Sequence, residues 1–188
     1  MSSKMWKLLC PLFVLSISAC TVSGDWRTAS RESAGLAPDP DEHEQAIIQV
    51  YGADAWGWRG WFAIHTWIST KRAGELEYKV HDVVGWRKRY GGSVVRAMPD
   101  VPDRYWYGAK PELIAEVRGD RAEALIDEIE QAVADYPWKD EYQAFPGPNS
   151  NTFVAWVGKQ VPGLGLELPF SAIGSGYVGR FRGEMDGS

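Results

Sequence analysis

Hydrophobic patterning divides the chain into strands first and helices after. Gln45–Tyr51 (QAIIQVY) is a compact apolar run that predicts a strand. Trp56-Gly57-Trp58-Arg59-Gly60 reads as a glycine-punctuated turn. Trp61–Thr70 (WFAIHTWIST) predicts a second strand by its β-branched and aromatic content. Period-two alternation sorts that strand into two faces. Phe62, Ile64, Thr66 and Ile68 lie on one face, and Trp61, Ala63, His65 and Trp67 on the other. Gly74-Glu75 marks a turn, Glu77–Trp86 (EYKVHDVVGW) a returning strand, and Gly91-Gly92 a further turn before a short strand at Ser93–Ala97. Residues 45–97 therefore read as an antiparallel meander.

After an aromatic, proline-rich loop at Pro99–Pro111, Glu112–Val117 reads as a short strand. Asp120-Arg121-Ala122-Glu123 then fits a capping box with an acid at the cap. Leu125, Ile126, Ile129, Ala132, Val133 and Tyr136 follow at helical spacing, and Pro137 stops the helix. A second helix is expected from about Thr152 to Val161, with Pro162-Gly163 as its stop. Strands followed by helices with antiparallel connections predict an α+β fold, an antiparallel β-meander followed by two helices.

The first residues carry different information. Met1–Lys7 holds two lysines and no acid, and Leu8–Ser18 is apolar but too short to span a bilayer, which takes roughly 20 residues. Residues 1–19 read as a secretory signal peptide. Ile17-Ser18-Ala19-Cys20 resembles the bacterial lipobox, which implies lipidation at Cys20 and a membrane as partner through that anchor. With Thr21 rather than an acid after Cys20, the resemblance implies the periplasmic side of the outer membrane in a cell with two membranes. Residues 20–42 read as a lipidated N-terminus and polar tether, 43–178 as a single domain, and 179–188 as a frayed tail.

The only two cysteines are Cys10 and Cys20, so the domain itself has no disulfide, thiolate metal site or cysteine nucleophile. The formal net charge is −5, and removal of residues 1–19 takes away Lys4 and Lys7 but no acid. The acids are scattered and no basic stripe is present, which argues against nucleic acid as a partner. No His-x-x-x-His or Cys-x-x-Cys pair or calcium loop occurs, and GADAWGWRG lacks the Walker lysine. Neither a metal nor a nucleotide cofactor is expected. The ten tryptophans fit core packing or an aromatic-lined ligand groove, with Trp61, Trp67 and Trp106 as candidates for the latter.

Of the three histidines, His65 lies mid-strand and His81 lies on the next strand beside Asp82. The later helix opens at Asn149-Ser150-Asn151-Thr152-Phe153. A serine at a helix N-terminus could be an N-cap, or a nucleophile served by a strand histidine and an orienting polar group. This order of elements resembles the circularly permuted papain-like superfamily, which includes lecithin retinol acyltransferase-like proteins and relatives of NlpC-type cell-wall peptidases. The resemblance covers roughly residues 45–161. It implies a permuted papain-like fold with Ser150 in the place of the cysteine, His65 as the histidine, and His81 or Asp82 as the third polar residue. FAIHTWI, VVGW, PDRYWYGAKPEL, YPWKDEY and FPGPNSNTF are more closely similar to an uncharacterised bacterial family, domain-of-unknown-function family 3750, which implies an envelope protein.

Two functions follow. One is a serine-type hydrolase or acyltransferase acting on an envelope amide or ester through Ser150 and His65. The other is a non-catalytic module that binds a cell-wall peptide, glycan or lipid in a groove containing Trp61, Trp67, Trp106, Asn149 and Asn151. Serine at a cysteine position is a poor default nucleophile, because a helix N-terminus lowers a thiol pKa far more usefully than a hydroxyl's. That favours the binding module.

Overall fold

The structure, a computed structural model, describes residues 25–181. Residues 1–19, read above as a signal peptide, Cys20 and the residues after 181 lie outside that range. Five strands form one antiparallel sheet: β1 (Ile47–Asp54), β2 (Ile64–Lys71), β3 (Lys79–Val83), β4 (Val95–Pro99) and β5 (Glu112–Arg118). Two α-helices follow, α1 (Gly119–Ala134) and α2 (Ser150–Gln160). The expected α+β architecture is therefore present. The spatial order is β4-β3-β2-β1-β5, so the fifth strand returns to the far side of β1 rather than extending the meander. This makes β1 an interior strand, which is why its apolar run is buried on both faces until its last residue.

The sheet carries a core on each side. Ile48 and Val50 of β1 and Ile68 of β2 pack under α1 and α2, where Ile126, Ile129, Phe153 and Val157 are almost fully buried. A side chain of this size contributes roughly 1.5–3 kcal/mol on full burial. The other face carries Tyr51, Trp67, Val80 and Ala109. Tyr51 and Trp67 are directly opposite in the ladder and their rings stack at 5.8 Å.

Three local expectations are corrected. Trp61 and Phe62 precede β2, because Gly57–Trp61 winds into a 3₁₀ turn. Trp86 likewise lies beyond β3, in the 3₁₀ turn Gly85–Tyr90. The capping box at Asp120 does not form: α1 starts at Gly119 and no side chain caps it. Glu123 instead accepts hydrogen bonds from the Ala73 N–H (2.9 Å) and Arg72 Nη1 (3.1 Å), tying the β2–β3 turn to the helix. A turn N–H with no ladder partner competes successfully for that carboxylate.

The segment read as a tether is also docked, as far as residues 25–42 show it. Buried Asp103 accepts from Ser33 Oγ (2.8 Å), the Leu36 N–H (2.5 Å) and the Ala37 N–H (3.2 Å). Backbone bonds from Tyr105 N–H to Glu32 (2.8 Å) and Gly108 N–H to Ser30 (2.9 Å) extend the clasp. Polar composition alone suggested a free spacer, but these groups find their partners about 70 residues away.

Candidate functional site

The loop before α2 is tied down by asparagine side chains. Asn149 is the N-cap of α2: its Oδ1 accepts from the N–H groups of Asn151 (3.0 Å) and Thr152 (3.1 Å), and Thr152 Oγ1 accepts from the Asn149 N–H (3.1 Å). Asn149 Nδ2 donates to the carbonyls of Ala144 and Ile173, both at 3.0 Å. Asn151 Nδ2 donates to Ile64 and Ile173, both at 2.9 Å, and its Oδ1 accepts from Thr66 Oγ1 at 2.9 Å. Thr152 Oγ1 donates to the Gly174 carbonyl at 2.7 Å. Gly174 has φ +99°, and a Cβ there would run into the Asn149 amide, so the clasp requires glycine. The residues placed as groove contacts, Asn149 and Asn151, have thus spent both amide protons on the fold.

Ser150 is the exception in this motif. It is the first helical residue, not the cap. Among the described residues its hydroxyl has no hydrogen-bond partner, and neither does its backbone N–H, one of the groups a helix start leaves open. Its side chain lines a cleft of about 490 Å³ whose walls include Trp56, Trp58, Phe62, Trp106, Tyr142 and Phe145. Gly85 lets Tyr142 lie directly on the backbone of the β3–β4 turn.

His65 opens onto the same cleft from β2. Its ring stacks on Trp106 with centroids 3.5 Å apart and planes 5° from parallel. Burial holds its pKa down to about 3; the Asp82 charge works against this, and Arg104 and Arg96 reinforce it. The imidazole is therefore neutral near pH 7. Its Nε2 is buried without a hydrogen-bond partner. No hydrogen bond joins His65 to Ser150 among the described residues.

The register separates the two candidates for a third polar residue. His81 stands opposite Ile68 and so lies on the helix side of the sheet, where Nε2 meets Thr70 Oγ1 at 3.1 Å. Burial and nearby Lys79 lower its pKa to about 4. Asp82 shares the face of His65 and Trp67. Its carboxylate is taken by Arg96 Nε (2.8 Å), Arg96 Nη2 (3.0 Å) and Arg104 Nη2 (2.7 Å). Burial opposes ionisation of Asp82, but the Arg96 hydrogen bonds and the two guanidinium charges prevail and hold its carboxyl below the usual range. Asp100 closes the cluster, 2.9 Å from Arg96 and 3.0 Å from Arg104, the latter without hydrogen-bond alignment. The Arg104 guanidinium sits 5.6 Å from the Trp67 ring and 5.7 Å from the Trp106 ring. This ionic cluster was not visible in sequence, since neither arginine carries a motif.

Of the proposed groove tryptophans, Trp106 lines the cleft. Trp67 is fully buried behind it and donates to the Pro102 carbonyl at 2.7 Å. Trp61 is exposed and borders a neighbouring recess. The missed wall residues, Trp56, Trp58, Phe62, Tyr142 and Phe145, come from loops and from the 3₁₀ turn Gly57–Trp61, whose positions patterning does not specify. Among the described residues, no group of three or more His, Cys, Asp or Glu side chains is placed to hold a metal ion.

These features define an α+β protein with an aromatic cleft built at the start of a capped helix. The chain belongs to the family described as "Protein of unknown function (DUF3750)", which matches residues 45–177. No curated protein and no solved structure matches it.

Proposed function

We propose that the chain is a lipid-anchored protein of the bacterial cell envelope whose cleft binds a cell-wall peptide, glycan or lipid without catalysing a reaction on it. One observation carries the preference for binding: the carboxylate on the face of His65 is committed to Arg96 and Arg104, and among the described residues no hydrogen-bond partner reaches the imidazole Nε2. With a pKa near 3, charging His65 at neutral pH costs on the order of 5 kcal/mol more than for an ordinary histidine. A Ser–His mechanism needs an orienting group that offsets this cost. A neutral imidazole, the Ser150 hydroxyl and the Ser150 N–H suit hydrogen bonds to a ligand carbonyl or hydroxyl, and the aromatic walls suit sugar faces or acyl chains.

Calorimetric titration of the purified chain with soluble peptidoglycan fragments and with phospholipid micelles tests the reading. Binding lost in Trp106→Ala and weakened in Ser150→Ala supports it; equal binding by both variants overturns the assignment of the cleft.

A second reading is a serine hydrolase, favoured by the free Ser150 hydroxyl beside a free helix N–H, which is the arrangement of a nucleophile with an oxyanion donor. Fluorophosphonate labelling that disappears in both Ser150→Ala and His65→Ala would establish it. The anchor rests on Ile17-Ser18-Ala19-Cys20, and Cys20→Ser should release the protein from membranes.

A further inference from the structure

The end of the sheet that bears the cleft also carries an unusual outer surface. The turn Gly57–Trp61 runs into β2 there. Continuing the register Ile68↔His81 sets Val84 opposite His65, so the turn Gly85–Tyr90 leaves the sheet at the same end. Both turns expose large aromatics: Trp58 is 69% exposed, Trp61 71% and Tyr90 83%, with Trp86 half exposed. Phe145, 72% exposed, joins them from the loop before α2, where it and Trp58 form part of the cleft wall. The sequences of the two turns, GWRGW and GWRKRY, contain four basic residues and no acid, in a chain of net charge −5. Among the described residues, Arg59, Lys88 and Arg89 make no ion pair.

Monomeric proteins rarely leave so many aromatics in water without a use. Tryptophan and tyrosine interleaved with cations is the composition favoured at the headgroup level of an anionic bilayer. The route of the chain points the same way. Arg31 lies over the Tyr107 ring at 4.4 Å, Tyr107 meets Trp56 edge-on at 5.8 Å, and Trp56 lines the cleft. Arg31 also donates to the Trp26 carbonyl at 2.8 Å. The chain therefore joins the domain beside the cleft. Cys20 is five residues before Asp25, and a fully extended chain of that length reaches at most ~18 Å. An acyl group at Cys20 keeps the aromatic rim close to the bilayer surface.

We propose that this end of the domain docks on the anionic headgroup layer of the bilayer, with Trp58, Trp61, Trp86 and Tyr90 in the interface and the cleft opening toward lipid or lipid-linked ligands. The choice of a bilayer rests on the lipid anchor proposed above.

Tryptophan quenching by brominated phospholipids tests it. The full chain is reconstituted into vesicles of phosphatidylcholine with phosphatidylglycerol, and compared with Trp58→Phe/Trp61→Phe/Trp86→Phe, whose exposed positions leave the fold intact. The expected result is loss of most of the lipid-dependent quenching in the triple variant. Lys88→Glu/Arg89→Glu should lower quenching several-fold in anionic vesicles and little in phosphatidylcholine alone. Quenching as strong in the triple variant as in the wild type, or none in either, overturns the docking. Self-association of the wild type that the triple variant lacks, with no lipid quenching, assigns the surface to a second copy of the chain and overturns it too. Retention of the wild type in membranes after a carbonate wash tests the anchor separately. If the anchor fails, the same vesicles added to Cys20→Ser decide the docking alone, through weaker, salt-sensitive quenching or its absence.

Discussion

The asparagine clasp makes a sharp prediction about neighbouring residues. Asn149→Ala removes the N-cap of α2, whose loss typically costs about 1 kcal/mol. It also removes the Asn149 donor from each of the carbonyls of Ala144 and Ile173 in a partly buried setting, each worth roughly 1 kcal/mol. Ile173 keeps the Asn151 bond, which tempers the second loss. The expected destabilisation is therefore about 2–3 kcal/mol. Ser150→Ala removes a hydroxyl with no protein partner, and should stay within roughly 0.5 kcal/mol of wild type. Urea unfolding followed by far-UV circular dichroism measures both. For a domain of this size about 2–3 kcal/mol corresponds to a fall in Tm on the order of 4–12 °C. If Ser150→Ala costs as much as Asn149→Ala, the serine is the working cap and the free hydroxyl in the cleft does not exist.

Other consequences are equally concrete. Asp82→Ala leaves two guanidinium groups without their buried carboxylate and should cost about 3–5 kcal/mol in chemical denaturation. Because the Asp82 carboxyl is held below its unfolded pKa of about 3.9, its contribution is present above that pH and lost as pH falls through the folded value, so Asp82→Asn should flatten the acid limb of the stability curve. The His65 ring, with its folded pKa near 3 against about 6.5 when unfolded, should show no imidazole titration above about pH 4 by NMR, and the stability due to its neutrality should decline as pH falls from about 6.5 toward 3. Titration of His65 near pH 6 would refute the buried, neutral assignment. Asp103→Ala removes three acceptor contacts from residues 33–37 and should make that segment the first site of limited proteolysis.

Much of the sheet and both helices were legible from periodicity. The β2 faces separate as alternation requires: Thr66 and Ile68 point to the helices, His65 and Trp67 away from them. The apolar stripe of α1 buries Leu125, Ile126, Ile129 and Ala132 as its spacing marks, while Val133 is half-buried and Tyr136 is buried just beyond the helix end at Ala134. Local pattern did not reveal choices made between distant groups. Nothing in Glu112–Arg118 says that it pairs with β1 rather than β4. Glu123 looks like a helix cap until the Ala73 N–H is seen to need an acceptor. At the site, His65 and Ser150 were identifiable as residues, and the structure places both on one cleft. That Asn149 rather than Ser150 caps the helix, and that Asp82 is already occupied, depends on the geometry of side chains with several possible partners.

The clasp at the start of α2 also has a bearing on how the molecule comes into being. Asn149, Asn151 and Thr152 are satisfied by carbonyls at Ile64, Ala144, Ile173 and Gly174, so the loop is closed by residues on either side of it in the chain. Among the described residues, every strand and both α-helices precede residue 161. A nascent chain synthesised from its N-terminus could assemble the sheet and pack α1 and α2 while these amides still lacked their last acceptors. The cleft would then take its final shape only when residues 173 and 174 had emerged, so its completion would report that the chain had been made at least through Gly174.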